Sequence, residues 1–294
     1  VGFDVGINPY RGCSHGCVYC YARPTHEYLG FSAGLDFETR IMVKEEAPEL
    51  LRQALASRSW KPQVIALSGN TDAYQPAERQ LGLTRRCLEV LAEFRNPVGI
   101  VTKSHLVTRD ADLLADLASD QAAAVVVSVT SLRNEIQRAM EPRAATPARR
   151  LHAIRVLAEA GIPVGVNVAP VVPGLTDDEM PAILEAATEA GATFASYILL
   201  RLPHGVKSMF EDWLGQHFPQ RREKVLNRVR ELRGGKLYDA RFEVRGRGEG
   251  PWADQLRALF RITRDRLGLN RPPTLSTEAF RLPGDPCPQT DLFA

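Results

Sequence analysis

Residues 7–28 read INPYRGCSHGCVYCYARPTHEY, with thiols at Cys13, Cys17 and Cys20. Three cysteines fall within eight residues of a 294-residue chain that has two others, Cys87 and Cys287. An odd number of cysteines does not build a disulfide framework, and the opening VGFDVG shows neither a basic nor an apolar signal region. A cytoplasmic, reducing setting is therefore expected, in which clustered thiols bind metal or carry redox chemistry. Tyr10, Tyr19 and Tyr21 crowd the same stretch. What the thiols bind depends on the fold that presents them.

Outward from the cluster, short β-branched runs alternate with amphipathic segments as far as residue 200. Strands are predicted at 2–7, 63–68 (QVIALS), 97–102 (PVGIVT), 123–130 (AAVVVSVT), 162–169 (IPVGVNVA) and 194–200 (FASYILL). Each is short and apolar on both faces, the pattern of a buried parallel strand. Helical patterns lie between them at 47–57, 83–94, 110–119, 148–161 and 176–191. Gly161 and Gly191 read as C-terminal caps, and Thr176 with Glu179 reads as a capping box. Six such repeats at about 30-residue spacing imply a parallel sheet with right-handed crossovers. An open doubly wound sheet and a partial barrel both satisfy this pattern, but no glycine-rich phosphate loop supports a nucleotide fold.

After residue 203 the pattern turns helical, at 207–217, 219–232 and 252–267, with a strand predicted at 240–245. LPGDPCPQTDLFA (282–294) reads as an extended Pro-rich tail. The boundaries are thus 1–202 for the α/β part, 203–283 for a basic, mainly helical region and 284–294 for the tail. The net charge of +2 conceals an asymmetry. Residues 1–200 carry 19 basic and 23 acidic side chains, and residues 201–294 carry 18 and 12. Arginine dominates the basic set and favours bidentate phosphate contacts, so nucleic acid is the partner that the C-terminal part suggests. No apolar run reaches the ~20 residues that span a bilayer.

The thiols follow the first predicted strand with the spacing C-x3-C-x2-C. A zinc site of three cysteines and one histidine, closed by His15 or His26, is one reading. A cysteine redox pair is weaker, because it leaves a third thiol without a task. An iron–sulfur cluster fits better, since three thiolates leave one iron open for a substrate or cofactor. The pattern C-x3-C-x-Φ-C, with Tyr19 as the aromatic, resembles the signature of the radical SAM superfamily. That resemblance implies a 4Fe-4S cluster held by Cys13, Cys17 and Cys20 whose open iron chelates S-adenosylmethionine. It implies reductive cleavage to a 5′-deoxyadenosyl radical that abstracts a substrate hydrogen, with electrons from a donor such as flavodoxin or ferredoxin. It also implies a (β/α)6 partial TIM barrel of parallel strands, here with a mainly helical C-terminal extension.

The resemblance extends over residues 1 to about 200. It implies that LSGNTDAYQPAE supplies Ser68, Gly69 and Asn70, a variant of the motif that binds the amino group of S-adenosylmethionine. VTKSH supplies Lys103 between Thr102 and Ser104, similar to the Thr-Lys-Ser of the spore photoproduct lyase-like subgroup. VSVTSL offers Ser128 and Thr130, and VNVAPVVPG offers Asn167 and Pro170, all at the strand ends where barrel enzymes build their sites. Tyr19 and Tyr21 match the subgroup's tyrosines around the last cluster cysteine, which makes Tyr21 the catalytic candidate. The lyase's hydrogen-donor cysteine has no counterpart in SGNTD, so the chain reads as a lyase-like relative and not as the lyase itself. A lyase-like role in DNA repair is the expected function. Modification of a protein or metabolite, or a structural cluster in a binding module, are the alternatives.

Other candidates are weaker. Cys87, on an apolar helix, reads as an inert buried thiol, and Cys87 with Cys287 cannot ligate a second cluster. His26 and Tyr28 read as anchors behind the loop. Arg201 and His204 follow the sixth strand and are candidates to face a substrate, and Arg245 and Arg247 sit among glycines that permit close approach to phosphate. The terminal QTDLF (Gln289–Phe293) resembles a sliding-clamp-binding peptide, with Thr290 departing from the usual leucine.

Overall fold

A computed structural model describes residues 4–284, so Cys287 and the clamp-like Gln289–Phe293 lie outside the described residues. All six predicted strands form, as β1 (Val5–Ile7), β4 (Ile65–Leu67), β5 (Val98–Thr102), β6 (Ala123–Val129), β7 (Val164–Val171) and β8 (Phe194–Leu199). A two-strand ribbon of β2 (Tyr10–Arg11) and β3 (Met42–Val43) was not legible in the sequence. The six strands pair in parallel in the order β1-β4-β5-β6-β7-β8. That order follows the chain without reversing, which separates a partial barrel from a doubly wound sheet, whose order turns back at a switch point. Among the described residues β1 and β8 do not pair, so the barrel stays open.

Register follows from burial. Val98 faces Ala123, Val125 faces Val164 and Ser128 faces Asn167. Every residue of β7 is buried, as both faces are covered in the centre of a parallel sheet. Helices α1 (Leu35–Thr39), α2 (Ala47–Ala56), α3 (Glu78–Leu81), α4 (Leu83–Phe94), α5 (Ala111–Ser119) and α6 (Asn134–Met140) fill the first crossovers. They are followed by α7 (Pro147–Glu159) and α8 (Met180–Glu189). In α4 the buried side chains Leu83, Cys87, Leu88, Leu91 and Phe94 recur at helical spacing, and Arg86 and Glu89 face water. Helix α7 begins with Pro147 and ends before Gly161, whose φ of 76° lets Ile162 N donate to Leu157 O at 3.0 Å.

The C-terminal region contains α9 (Val206–His217), α10 (Arg222–Glu231), α11 (Phe242–Arg245) and α12 (Pro251–Arg266). Two expectations are corrected. The strand predicted at 240–245 is the short helix α11, and its end is fixed by tertiary contact, with Leu199 N donating to Gly246 O at 2.9 Å. Thr176 and Glu179 make no capping box. The Thr176 hydroxyl accepts from Val172 N, and the Glu179 carboxylate turns inward to Ser131, Leu132 N and Arg133.

Candidate functional site

The cysteine loop leaves the sheet at the C-terminal end of β1, turns on the β2–β3 ribbon and is buttressed from four directions. Cys13 N donates to Phe37 O at 2.9 Å, and Val18 N donates to Met140 O at 3.0 Å. Arg23, fully buried, reaches Cys17 O at 2.9 Å, Ala33 O at 3.1 Å and Gly34 O at 3.0 Å, and pairs with Glu38. Arg143 donates to Ser14 O and also pairs with Glu38. From the turn after β4, Thr71 Oγ1 and Gln75 Nε2 donate to Gly12 O at 2.6 and 3.1 Å, and Gln75 Oε1 accepts from Ser14 N. Two glycines make this crowding possible. At Gly12 (φ 81°) a Cβ would lie 2.8 Å from Phe37 O, and at Gly16 (φ 70°) it would lie 2.4 Å from the end of Arg143.

Within the loop Cys13 and Cys17 are buried and Cys20 is half-buried, all three as free thiols. Burial pushes Cys13 up to about 12, aided by Asp72 and Cys20. Burial raises Cys17 well above the ordinary thiol value, with Glu141 adding and Lys103 opposing. For Cys20 burial again dominates, and Arg23 and Lys103 pull the other way. The thiols therefore share one dry pocket with cations at its side. Lys103 feels burial first, which lowers its pKa, but Cys17 and Glu141 outweigh that and leave it raised, hence charged. Its ammonium stands 5.8 Å from the Tyr19 ring centroid. Its backbone is fixed by Asp72, which accepts from Lys103 N at 2.8 Å and from Thr102 Oγ1 at 2.7 Å.

Behind the pocket runs a buried polar chain. Glu141 pairs with Arg150 and accepts the Tyr19 hydroxyl. The Thr130 hydroxyl lies 2.7 Å from Glu141 and 2.8 Å from Ala169 O, donating to one at a time. Arg150 also reaches Ser128 O at 3.0 Å. Tyr19 and Thr130 are thus committed to the wall of the site. Ser128 and Asn167 stand side by side on β6 and β7, and Asn167 Oδ1 accepts from Ser196 at 3.1 Å. In the turn after β4, Ser68 takes a φ of 103° and its hydroxyl accepts from Ala73 N; Asn70 N donates to Asn8 Oδ1 at 2.9 Å. The Gly69 carbonyl accepts the Tyr21 phenol. Tyr21 is 45% exposed, at the mouth, with the Arg201 guanidinium 4.6 Å from its ring centroid.

The structure therefore brings Cys13, Cys17, Cys20, Tyr19, Tyr21, Gly69, Lys103 and Arg201 to one end of the sheet. Other candidates stand apart. Tyr10 is buried and donates to Glu78. His204 and Tyr28 are exposed, and Arg247 turns to solvent. Cys87 is buried, its thiol pushed up to about 12 by burial and Glu78, as an inert core residue. Sequence reasoning missed Glu141, Arg150, Arg23, Arg143 and Gln75, whose contacts follow no recognisable sequence spacing.

The donor set decides between metals. His26 Nε2 is 3.0 Å from Arg40 O and its ring packs on Phe37, and His15 Nδ1 faces Asp72 at 3.5 Å. These contacts orient both rings, although His26 Nδ1 is buried without a hydrogen-bond partner. Among the described residues no three His, Cys, Asp or Glu side chains converge tightly enough to hold a single metal ion. Three soft donors in one dry loop, flanked by Lys103 and Arg23, fit a larger thiolate-held cluster whose negative charge those cations offset.

Comparison with known proteins agrees with this geometry. A family model described as the radical SAM superfamily matches residues 7–187. An uncharacterized protein of Mycobacterium tuberculosis is 37% identical over 285 residues, covering 96% of this chain and 80% of that protein. An uncharacterized protein of Methanocaldococcus jannaschii is 28% identical over 223 residues, covering 76% and 80%. Among solved structures, a spore photoproduct lyase variant superposes with a TM-score of 0.61 at 16% identity, covering 91% of this chain and 77% of that one. A second variant, with bound AdoMet and dinucleoside spore photoproduct, gives 0.60 over 89% and 73%. At that identity the likeness is one of fold.

Proposed function

This chain belongs to the radical SAM superfamily, whose members use a 4Fe-4S cluster and S-adenosylmethionine, and on that premise we propose that it is a hydrogen-abstracting enzyme acting on nucleic acid in a repair-like reaction. When bound, the cluster and S-adenosylmethionine supply a carbon-centred radical that removes a substrate hydrogen atom. Cys13, Cys17 and Cys20 would hold the cluster. Lys103, Ser128, Asn167 and the Ser68–Asn70 turn would hold S-adenosylmethionine, with Thr130 and Tyr19 supporting them from behind. Tyr21, hydrogen-bonded to the Gly69 carbonyl, would face the substrate. The buried wall of Glu141, Arg150 and Thr130 keeps water from the reacting centre.

One observation carries this reading: three clustered thiols, two buried and one half-buried, meet a charged lysine at the C-terminal ends of parallel strands. The arginine-rich C-terminal part supports nucleic acid as the substrate class. We place the clamp-like Gln289–Phe293 and a flavodoxin- or ferredoxin-type electron donor in the same proposal. The test is anaerobic reconstitution followed by measurement of 5′-deoxyadenosine with single-stranded DNA, duplex DNA, RNA or a peptide mixture. Nucleic acid is expected to raise the yield, and stimulation by peptides alone would overturn the substrate class. Cys17→Ala should lose both the brown absorbance and cofactor cleavage; retention of both would remove the cluster assignment.

A further inference from the structure

Composition makes the C-terminal part basic, but several of its arginines already have carboxylate partners. Arg222, Arg228, Arg241, Arg257, Arg264 and Arg266 each pair with an acidic side chain. Three at the barrel mouth differ. Among the described residues, Arg201, Arg233 and Arg245 make no ion pair. Arg201 follows β8 and lies over Tyr21, and its Nε is buried with no hydrogen-bond partner. Arg233 is 2% exposed; it donates through Nη2 to Leu200 O at 2.5 Å and Arg245 O at 3.1 Å, leaving Nε and Nη1 unpartnered. Arg245 closes α11, half-buried, its guanidinium 4.5 Å from the Phe242 ring centroid and its carbonyl held by Arg233.

We propose that Arg201 and Arg245 form an anion subsite for a phosphate group of the substrate, with Arg233 beneath them as the positioning residue. Buried guanidinium N–H groups without acceptors carry a desolvation cost that a bound oxyanion removes. Three guanidinium groups around one mouth exceed what a single carboxylate balances, and their planar forks match phosphate oxygens. Asp239, the nearest acid acting on Arg233, is already held by Arg241 at 2.8 Å. Burial lowers the Arg233 pKa to about 10, with Asp239 opposing and Arg201 adding, which marks an under-compensated cation. By holding the carbonyls of Leu200 and Arg245, Arg233 sets the spacing of the two outer arginines. A phosphate there would place the adjoining sugar and base against Tyr21. The subsite rests on the nucleic-acid reading only for the source of its phosphate.

The test uses the reconstituted enzyme with S-adenosylmethionine and calorimetric titration of a short single-stranded thymidylate oligomer, thymidine 5′-monophosphate, inorganic phosphate and thymidine. The double variant Arg201→Gln/Arg245→Gln should bind phosphate-bearing probes about tenfold more weakly per arginine removed, with the salt slope for the oligomer falling by ~0.7 per arginine. Retained cluster absorbance and melting temperature show that it folds. Arg233→Lys should preserve binding that Arg233→Gln loses. If the folded double variant matches wild type in affinity and slope on the oligomer, the subsite is wrong and the nucleic-acid reading stands. If wild type binds phosphate and the monophosphate but not the oligomer, and the variant loses both, the subsite stands and the nucleic-acid reading falls. Failure of wild type to bind any phosphate-bearing probe overturns the subsite.

Discussion

The Glu141–Arg150 pair sets the behaviour of the site at the scale of single residues. Both groups are fully buried, and Glu141 also accepts from Tyr19, so the pair joins the cysteine loop to the body of the barrel. Removing one buried partner strands the other, and Glu141→Gln is expected to cost about 3–5 kcal/mol. The double variant Glu141→Gln/Arg150→Met should recover part of that loss, because the stranded Arg150 charge is gone while Lys103 still lacks Glu141. Urea midpoints at constant m-value decide it, and a double variant no better than the single would refute the pairing account. Burial pushes the Glu141 carboxyl up, but Arg150 and Lys103 pull it further down, so its folded pKa lies below its unfolded value. Its stabilisation is therefore present above ~4.3 and is lost as pH falls through the lower folded value. Acid unfolding of wild type should show a steeper loss of stability there than the double variant shows. The link from Tyr19 to this pair was not legible in the sequence, since Tyr19 and Glu141 are 122 residues apart. The three cysteines were legible because their chemistry is packed into one local spacing.

The glycines of the cysteine loop belong to the scale of the element, and they divide by what surrounds them. A Cβ on Gly12 meets the Phe37 carbonyl, the same oxygen that accepts from Cys13 N, so the chain itself must move. A Cβ on Gly16 meets the end of the Arg143 side chain, which can swing aside. Both substitutions also force an alanine into the left-handed region, at about 1–2 kcal/mol. Gly12→Ala should therefore destabilise more and take up less iron on reconstitution than Gly16→Ala, read from urea midpoints and iron content. Equal losses, or the reverse order, would show that backbone contact is not what distinguishes them. The sheet strands were legible because runs such as AAVVVSVT are apolar on both faces, which only burial in a sheet centre satisfies. Residues 240–245 were misread because Phe242 and Val244 alternate with charges in a strand-like period; Arg233 and Leu199 hold that segment as a helix from outside it. The Thr176–Glu179 pattern failed for the same kind of reason, with Ser131 and Arg133 capturing the carboxylate.

For the whole molecule, an open barrel has two free sheet edges, and this chain treats them differently. The β1 edge is only three residues long, one way of limiting strand addition by another chain. The β8 edge is six residues long and is covered by the C-terminal region. Ala195 N donates to Leu269 O, Arg271 N to Thr193 O and Leu199 N to Gly246 O. Tyr197 packs on Phe260 of α12 at 4.7 Å, and Ala253, Leu256 and Phe260 join the core shared with β4 to β8. The same region supplies Arg233 and Arg245 to the mouth. Although the sequence changes character near residue 203, the contacts argue that the helical extension and the barrel fold as one unit. A chain ending at residue 202 would expose the β8 backbone together with the apolar surface now under α12, and burial of each large side chain there is worth about 1.5–3 kcal/mol. That truncated chain is expected to aggregate on expression, and the intact chain to unfold in a single transition by both calorimetry and circular dichroism. A soluble truncated chain with native sheet content, or two resolved transitions in the intact one, would show instead that the extension is a separate domain resting on a self-sufficient barrel.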